Sequence, residues 1–527
     1  MENENLEVQE GVAVGTDSTG ELNREYVYEN RRYVGLKETV WYVIYDMCQS
    51  FNIDSFSDRF VTNILQIDLD YQTIVRVVNG VWDVINDIFT AAIVERTRTR
   101  WGKFKPYLVA LGIPGTIGTC FYWLMPMIFK GKGARDMSKF ITYFLLTLVR
   151  EGAGTFRAIA RTGMLATITP HPVDRTRLIT VAEFVSGLLG EKLPQQILTV
   201  LLDLIGNKVI NLSYTSTFMV MGNFTSIVSG FAALVFCVMT RERVMQSIET
   251  PSVMQGIKSV INNKPILLLT LSETLSNFSV GGSINDYYID VLNFASMTMV
   301  AGIPGAIINP FSFYFVPWFR RRFSTKTLYL VSTKIQPLLD IPVYLVGMIG
   351  GKHNGLYKKV LPMFFVMAIK EAIYMVFWGV RRVIPSEMYN ESMDYCEWKN
   401  GYRTEAMTSV ARELTKKLAS ILNSAVSLQL KKMIGYDISS YTRGQAQTDE
   451  TKHGLFAIAT IIPTLTGLLG IIPILFYDLS GEKRERMYAE LLVRREEMAK
   501  KLEDASTDEI KELSKEQMSV GSKKQDL

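Results

Sequence analysis

Twelve long stretches, most of them apolar and some polar on one side, restrict this chain to a narrow class of folds. A helix needs about 20 mostly apolar residues to cross roughly 30 Å of hydrocarbon. Inside hydrocarbon every backbone polar group must also be bonded within the chain, which a helix achieves locally. The sequence therefore predicts an all-α integral membrane protein with twelve transmembrane helices. The predicted spans are 34–54, 72–94, 105–129, 138–168, 178–205, 213–239, 266–292, 295–318, 326–350, 357–380, 408–434 and 454–477.

Polarity is concentrated outside these stretches and divides the chain into five parts. Both end segments are rich in charged and polar residues, and a polar linker separates the first six spans from the last six. A count of six plus six indicates two repeats about a central cavity. The predicted parts are a polar N-terminal tail (1–32), an N-terminal six-helix bundle (33–240), a central cytoplasmic linker (241–265), a C-terminal six-helix bundle (266–479) and a cytosolic charged helical tail (480–527).

Basic residues in the loops predict the orientation of the chain. Loops that follow even-numbered spans are rich in Lys and Arg, as at 96–105, 320–326 and 381–382. Lys and Arg accumulate in cytoplasmic loops, so we expect these loops and both termini on the cytoplasmic side of the cell membrane. Basic loops near 130–139 and 352–359 depart from that pattern.

Charge and composition exclude several function classes. The net charge of +5 is small and spread over short loops, whereas nucleic-acid binding needs a concentrated basic face. The four cysteines have no metal-type spacing and the three histidines are scattered, so neither a metal cluster nor a cofactor is expected. The spans show no pairing of a nucleophile with a base, so we do not expect an enzyme. The expected partners are a small-molecule solute and the lipid bilayer, without nucleic acid or an obligate protein partner.

The C-terminal tail has a thin apolar stripe at helical spacing. The stripe consists of Met487, Leu491, Met498 and Leu502. We expect a solvated cytosolic helix, and a regulatory or partner-binding helix is the alternative.

The second span contains two carboxylates, Asp83 and Asp87, within the segment WDVINDIF. A helix places residues four apart on one face. An acid at mid-membrane costs about 2.5–3.5 kcal/mol, and two acids also repel each other, so a compensating charge is needed. Carboxylates are suitable ligands for a hard cation, and we predict a monovalent cation site at these two residues. Internal salt bridges that only hold the helices together are the alternative.

Other spans of the N-terminal half carry charges that cannot face lipid. The first span has Lys37 and Glu38, the fourth has Arg157 and Arg161 on nearly one helix face, and the fifth has Glu183. These residues predict a polar cavity whose side chains bind the substrate. Aromatic side chains that can stack on a sugar ring are Trp41, Tyr42 and Trp378. The alternatives are that the charges only neutralise one another and that the aromatic rings only pack.

Four segments of the chain form a recognisable set. They are WDVIND with TRTRWGKFKPYL, LATITPHPVDRTRL (Leu165–Leu178), MDYCEWKNGYRTEAM (Met393–Met407) and SGEKRERMYAEL. In this order they resemble the glycoside–pentoside–hexuronide:cation symporters, the melibiose permease-type group of the major facilitator superfamily. The first and third segments are the most specific. The resemblance implies a major facilitator fold with two six-helix bundles and a central site reached alternately from either side.

The resemblance also implies roles for individual residues. Asp83 and Asp87 match the two acids of the family's coupling-cation site. The pair Lys37–Glu38 matches a Lys–Asp pair in the family's sugar and polar network. The family's lysine on span eleven, near the cation site, falls on Lys417.

One departure from the family pattern concerns spans four and five. The melibiose type has an aspartate on span four where this chain has Ala158, and an arginine on span five where this chain has Glu183. Galactoside specificity therefore does not carry over. Arginines in a cavity can form bidentate contacts with a carboxylate or phosphate, so an anionic substrate such as a uronic-acid glycoside is one hypothesis. The alternative is that Arg157 and Arg161 only neutralise nearby acids.

Together these observations predict secondary active transport. The predicted reaction is symport of a sugar or glycoside with Na⁺ or H⁺, by alternating access. An uncoupled facilitator and a carrier of an amphiphilic, lipid-like solute are alternatives within transport. A non-transporting membrane sensor that uses the cytosolic tail is the alternative from another class.

Overall fold

The fold is almost entirely helical in the part of the chain that the structure describes. This computed structural model describes residues 7–9, 12–14, 35–96, 99, 104–168, 178, 181–182, 184–240, 263–278, 280–400, 405–479 and 481–504. The strands β1 (Glu7–Gln9) and β2 (Val12–Val14) form an antiparallel pair. Most of the predicted N-terminal tail (1–32) and nearly all of the predicted linker (241–265) lie outside the described residues, as do residues 505–527.

The chain divides into two compact units. The first unit comprises Met1–Asp68 and Val81–Ile248, and the second comprises Leu69–Gly80 and Glu249–Leu527. The long helix from Leu69 therefore begins in the second unit and ends in the first.

Within the described residues, six long helices and several short helical turns contribute to the first unit, the helix from Leu69 with its part from Val81 onward. The long helices are α1 (Leu36–Ser50), α2 (Leu69–Arg96), α3 (Lys105–Ile128), α4 (Met137–Ile168), α5 (Lys192–Gly206) and α6 (Tyr214–Met239). The turns are Asp54–Phe56, Ser57–Arg59, Phe60–Ile64 and Ser186–Glu191. Local chemistry starts these helices: Ser213 caps α6 by accepting a hydrogen bond from the backbone N–H of Ser216, as expected for a residue that satisfies a free helix-end donor.

The second unit contains the remaining helices. They are α7 (Lys264–Asn277), α8 (Ile284–Asp290), α9 (Met297–Ser312), α10 (Val316–Arg322), α11 (Thr325–Gly347), α12 (Val360–Val376), α13 (Trp378–Asn400), α14 (Glu405–Met433), α15 (Asp449–Ala459), α16 (Ile461–Gly467), α17 (Ile471–Leu475) and α18 (Glu482–Asp504). Short turns lie at Gly351–Asn354, Leu356–Lys358 and Leu468–Gly470.

Three helices or helical runs in the described chain are long and apolar enough to cross a membrane. They are Lys105–Ile128, Tyr214–Met239 and Asp449–Leu475. Two bent helix pairs would bring the number to five if each pair is one span. They are α9 with α10, bent by 71°, and α12 with α13, bent by 42°. Helices such as α2 and α14 also lie at predicted spans, but their charged residues reduce their apolar character. The twelve spans and the cytoplasmic termini stay predictions.

Close approach of α3 and α6 organises the core of the first unit. Gly222 lies against the ring of Trp123, so that a Cβ atom at Gly222 would come within 2.2 Å of the indole. Tyr45 of α1 stacks on Phe236 of α6 with ring centroids 4.2 Å apart. Tyr42 also packs edge-on against Phe236. This aromatic cluster joins α1 to α6.

The first turns of α2 pack on α14 within the second unit. Asp70 accepts hydrogen bonds from the ammonium group of Lys432 at 2.7 and 2.8 Å. Gly80 lies directly against the side chain of Ile421. These contacts explain why residues 69–80 belong with the second unit.

The predicted seventh span, 266–292, is wrong as a single helix. The structure ends α7 at Asn277 and begins α8 at Ile284. Between them the backbone N–H of Gly282 donates to the carbonyl of Ile458 at 2.7 Å. A Cβ atom at Gly281 would lie 2.7 Å from the same carbonyl oxygen, so the glycines permit a close contact that interrupts the helix.

The tail helix α18 packs against α13 within the second unit. Met487 and Leu491 are 0% and 1% exposed and lie in a core cluster with residues of α13. The expectation of a solvated helix is therefore wrong for this part of the tail. The side chains of Met498 and Leu502 lie outside the described residues.

Candidate solute and cation sites

A cavity of about 910 Å³ lies within the second unit. Side chains of α7, α11, α12, α13 and α14 contribute to its lining, and many of them are charged or carry hydroxyl groups. The charged lining residues are Glu273, Lys334, Asp340, Lys370, Glu371, Arg381, Arg382 and Arg412. Cavities that hold small solutes typically measure about 300–1,000 Å³, so this one is large enough for a glycoside.

A carboxylate at the cavity joins three helices. Glu273 of α7 accepts two hydrogen bonds from the guanidinium of Arg412 on α14, at 2.6 and 2.8 Å. It also accepts a hydrogen bond of 2.6 Å from the hydroxyl of Tyr389 on α13, and Lys416 forms an ion pair of 3.0 Å with it. The Arg412 guanidinium lies 3.8 Å from the centroid of the Tyr389 ring. Because bidentate and charge-assisted bonds are the strongest of their kind, this group holds one wall of the cavity in place.

A second ion pair joins α11 to α12. Lys370 donates to the carboxylate of Asp340, and both side chains are largely buried, at 15% and 11% exposure. Glu371 follows on α12 and lines the same cavity. Gly305 of α9 lets α12 approach closely, because a Cβ atom there would lie 2.9 Å from the Glu371 side chain.

The sequence analysis did not identify four charged residues of this cavity. Lys334 and Asp340 lie in the predicted ninth span, and Lys370 and Glu371 lie in the tenth. Their presence within apolar stretches was the signal that could have identified them, since intramembrane charges normally face a cavity or a partner. The same reasoning had located the charges of the N-terminal half.

A smaller cavity of about 230 Å³ lies within the first unit. Arg157 lines it together with Arg150, Tyr45 and Ala158. Arg150 lies 3.7 Å from the carboxylate of Asp54 and stacks on Tyr122. The Nε atom of Arg157 is buried without a hydrogen-bond partner among the described residues. The predicted substrate residue Arg157 is thus placed at a polar cavity.

The predicted cation residues Asp83 and Asp87 are half-buried on α2. Thr155 of α4 donates a hydrogen bond of 3.4 Å to the Asp83 carboxylate, and Asn86 lies between the two acids, 8% exposed. Carboxylate, hydroxyl and amide oxygens suit a hard cation, so the donor types present fit Na⁺. Thr155 is a candidate third ligand, which the sequence analysis did not identify because its approach to α2 depends on helix packing.

The other predicted substrate residues are dispersed. Lys37 is exposed, Glu38 and Trp41 are half-buried, and Tyr42 lies in the aromatic core. The side chain of Arg161 and the whole of Glu183 lie outside the described residues.

Two of the predicted substrate residues belong to the second unit. Trp378 and Lys417 are half-buried there. Neither of them is among the described side chains that line the 910 Å³ cavity. Instead, the guanidinium of Arg382 stacks on the ring of Trp378, with its carbon atom 4.8 Å from the ring centroid.

Known proteins resemble this chain over most of its length. The model of the family described as MFS/sugar transport protein matches residues 34–481. The glucuronide carrier protein homolog of Escherichia coli (strain K12) is 24% identical over 426 residues, which cover 78% of this chain and 85% of the relative. The inner membrane symporter YicJ of the same organism is 26% identical over 471 residues, which cover 87% and 93%. Among solved structures, the nucleoside transporter NupG is similar with a TM-score of 0.51 at 12% identity, over 83% of this chain and 98% of that protein.

Proposed function

The chain belongs to the MFS/sugar transport protein family and has its major facilitator fold, and from this premise we propose that it is a cation-coupled symporter of a sugar or glycoside. It is an integral membrane transporter. The coupling ion is Na⁺ or H⁺, and transport proceeds by alternating access. Relatives named as a symporter and as a glucuronide carrier support this assignment.

The observation that carries the proposal is the polar cavity of about 910 Å³ in the second unit. The helices around it have apolar outer faces: Ile307 of α9, Leu345 of α11 and Phe365 of α12 are 64%, 62% and 55% exposed. The inner faces of α11 and α12 carry the charged lining residues Lys334, Asp340, Lys370 and Glu371. Apolar outer faces suit contact with lipid, while charges inside a membrane belong at a solute pathway. This pattern supports a protein that moves a polar solute through the bilayer.

Coupling to a cation is proposed for the first unit. Asp83 and Asp87 lie one turn apart on α2, and the hydroxyl of Thr155 reaches the first of them. A cation bound there relieves the repulsion between the two carboxylates. In a symporter, binding of the cation favours binding of the solute, and by linkage the solute then favours the cation to the same extent. Lys and Arg are concentrated in the loops that follow even-numbered spans, and such loops are cytoplasmic. With twelve spans, both termini are then on the cytoplasmic side.

Uptake measurements test the coupling. The full chain in proteoliposomes is expected to take up at least one of a panel of neutral and acidic glycosides faster when an inward Na⁺ or H⁺ gradient is imposed. The substitutions Asp83→Asn and Asp87→Asn should each reduce the stimulated component to background, since an amide lacks the charge that balances the cation.

The exposed carboxylate of Asp58, which also belongs to the first unit, provides a matched control. The substitution Asp58→Asn should leave stimulation unchanged. Stimulation that persists in both Asp83→Asn and Asp87→Asn would rule out this cation site. Uptake without any dependence on a gradient would instead identify an uncoupled facilitator.

A further inference from the structure

The lysine at position 334 lies in an unusual environment for a charged group. Lys334 of α11 is 2% exposed. Its ammonium donates to the hydroxyl of Ser276 on α7 and, at 3.0 Å, to the carbonyl of Gly467 on α16. A Cβ atom at Gly470 would come within 2.6 Å of the ammonium nitrogen, so the surrounding backbone is tightly packed. Within the described chain Lys334 makes no ion pair with a carboxylate.

A buried ammonium without a counter-charge is costly. Removal of a charge from water is strongly unfavourable unless an opposite charge compensates for it. Two neutral oxygens occupy two of the three N–H donors of an ammonium group, so one donor is left. Since Lys334 lines the 910 Å³ cavity, a group bound in that cavity can supply both the remaining acceptor and the missing negative charge.

A second cation of the cavity has the same kind of surroundings. Arg381 of α13 donates to the amide oxygen of Gln336 at 3.4 Å and to the hydroxyl of Tyr374. Both acceptors are neutral, and among described residues Arg381 forms no ion pair with an acid. Arg381 and Lys334 line the same cavity. Two cations that share a cavity and have only neutral hydrogen-bond partners favour the binding of an anion there.

The remaining charges of the cavity do not supply that anion. Asp340 is paired with Lys370, and Glu273 is held by Arg412 and Lys416. The third acid, Glu371, lines the cavity without an ion pair to Lys334 or Arg381 among the described residues. Five cationic and three acidic side chains line the cavity in all. Of the five cations, Lys370 and Arg412 are paired with acids and Arg382 stacks on Trp378, so Lys334 and Arg381 are the ones hydrogen-bonded to neutral oxygens.

We propose that Lys334 and Arg381 form a subsite of the second unit that binds an oxyanion substituent, a carboxylate or a phosphate, on the transported sugar. The inference rests on the proposed function and names the substrate class as acidic sugars. The planar guanidinium of Arg381 matches two oxygens of such a group, while the Lys334 ammonium contributes a point charge. The cavity volume of about 910 Å³ leaves room for the sugar ring and an aglycone.

A matched pair of ligands tests the subsite in the full chain. 4-Nitrophenyl β-glucuronide and 4-nitrophenyl β-glucoside differ only in a carboxylate against a hydroxymethyl group. The wild type is expected to bind and take up the glucuronide in preference to the glucoside. The substitutions Lys334→Gln and Arg381→Gln should each weaken glucuronide binding by about tenfold or more, the usual effect of losing a charged hydrogen-bond partner, and change glucoside binding by less than about twofold.

Variants of matched chemistry separate recognition from folding. Lys359→Gln and Arg321→Gln remove exposed cations outside the cavity and should leave both affinities unchanged. Lys334→Arg retains the charge and should preserve the preference for the acidic ligand more fully than Lys334→Gln. Glucose 6-phosphate and glucuronate are then tested as competitors of glucuronide binding, and the stronger of the two shows whether the subsite prefers a phosphate or a carboxylate. Competition by either acidic sugar supports the oxyanion subsite.

Three outcomes would overturn the inference. They are a wild type that prefers the glucoside, equal losses for both glycosides in the Lys334→Gln and Arg381→Gln variants, and competition by neither acidic sugar. If the wild type still takes up the neutral glycoside under a cation gradient, only the subsite is refuted and the symport function stands. If it takes up no glycoside of a broad panel, the proposed function itself is refuted, together with the subsite.

Discussion

Buried charges in the second unit are stabilised in two different ways. Glu273 has ionised and hydroxyl partners on two other helices, so its charge is fully compensated inside the protein. Lys334 has only neutral oxygen partners within the described residues. Removing one partner of a paired buried group is destabilising, because the other partners lose their compensation, whereas a buried cation without a counter-charge can bind an anionic ligand. Stability and binding are therefore expected to depend on different residues of the same cavity.

The substitution Glu273→Gln tests the stabilising role. The glutamine has nearly the same size, but Arg412, Lys416 and Tyr389 all lose an ionised acceptor. We expect a loss of about 2–3 kcal/mol in the free energy of unfolding, because hydrogen bonds to charged groups contribute about that much. Thermal unfolding of the purified protein in detergent measures it as a lower Tm.

Glu413 provides the control for this experiment. Its side chain is 63% exposed and pairs with Lys416, and exposed ion pairs contribute little. The substitution Glu413→Gln should therefore shift Tm only slightly. Equal shifts for the two variants would show that the Glu273 group does not stabilise the second unit.

The sequence could identify candidate site residues only where the residue type alone is unusual for its position. The acids at 83 and 87 stand out because charges are rare in apolar stretches. The neutral surroundings of Lys334 could not be predicted, since Ser276 and Gly467 are separated from it by 58 and 133 positions. The approach of Thr155 to Asp83 likewise depends on how α4 packs against α2.

At the scale of elements, hydropathy located most helices but not their interruptions or extensions. The tenth span was predicted to end near residue 380, yet α13 continues to Asn400. Its continuation is polar in sequence and is stabilised by packing, because Met388, Tyr389 and Tyr395 share a core cluster with the tail helix. Hydropathy alone does not detect such a helix, since its apolar face is buried by α18, a helix about 90 residues later in the chain.

Tail docking leads to a prediction for α18. Met487 and Leu491 are buried against α13, and Glu490 accepts a hydrogen bond of 2.7 Å from the indole of Trp398. The substitution Leu491→Ala should cost about 2–5 kcal/mol, the usual effect of truncating a buried leucine. Hydrogen exchange should show loss of protection in 482–494. The variant Val493→Ala, at a position that is 56% exposed, should retain protection, and equal exchange in both variants would contradict the docking.

At the scale of the whole molecule, each unit contributes a different part of the proposed transport reaction. The first unit contains Asp83 and Asp87, and the second contains the large cavity with Lys334 and Arg381. The sequence predicted the major facilitator fold, because it follows from hydropathy and from a few recognisable motifs, and the family match confirms it. The count of twelve membrane helices stays a prediction. The sequence placed the solute residues mainly in the first half, because partners within a cavity are a property of tertiary packing.

Symport requires that the cation and the sugar change each other's affinity by the same factor, since both bind one protein in a closed thermodynamic cycle. We expect the coupling cation to strengthen sugar binding by a factor on the order of 5–150, and the sugar to strengthen cation binding by an equal factor. Titration of the purified full chain with each ligand, in the presence and absence of the other, measures the two factors. The substitution Asp83→Asn should bring both factors to one and leave sugar binding without cation intact, because the solute cavity lies in the second unit. Factors of one in the wild type would contradict coupling and leave an uncoupled facilitator as the mechanism.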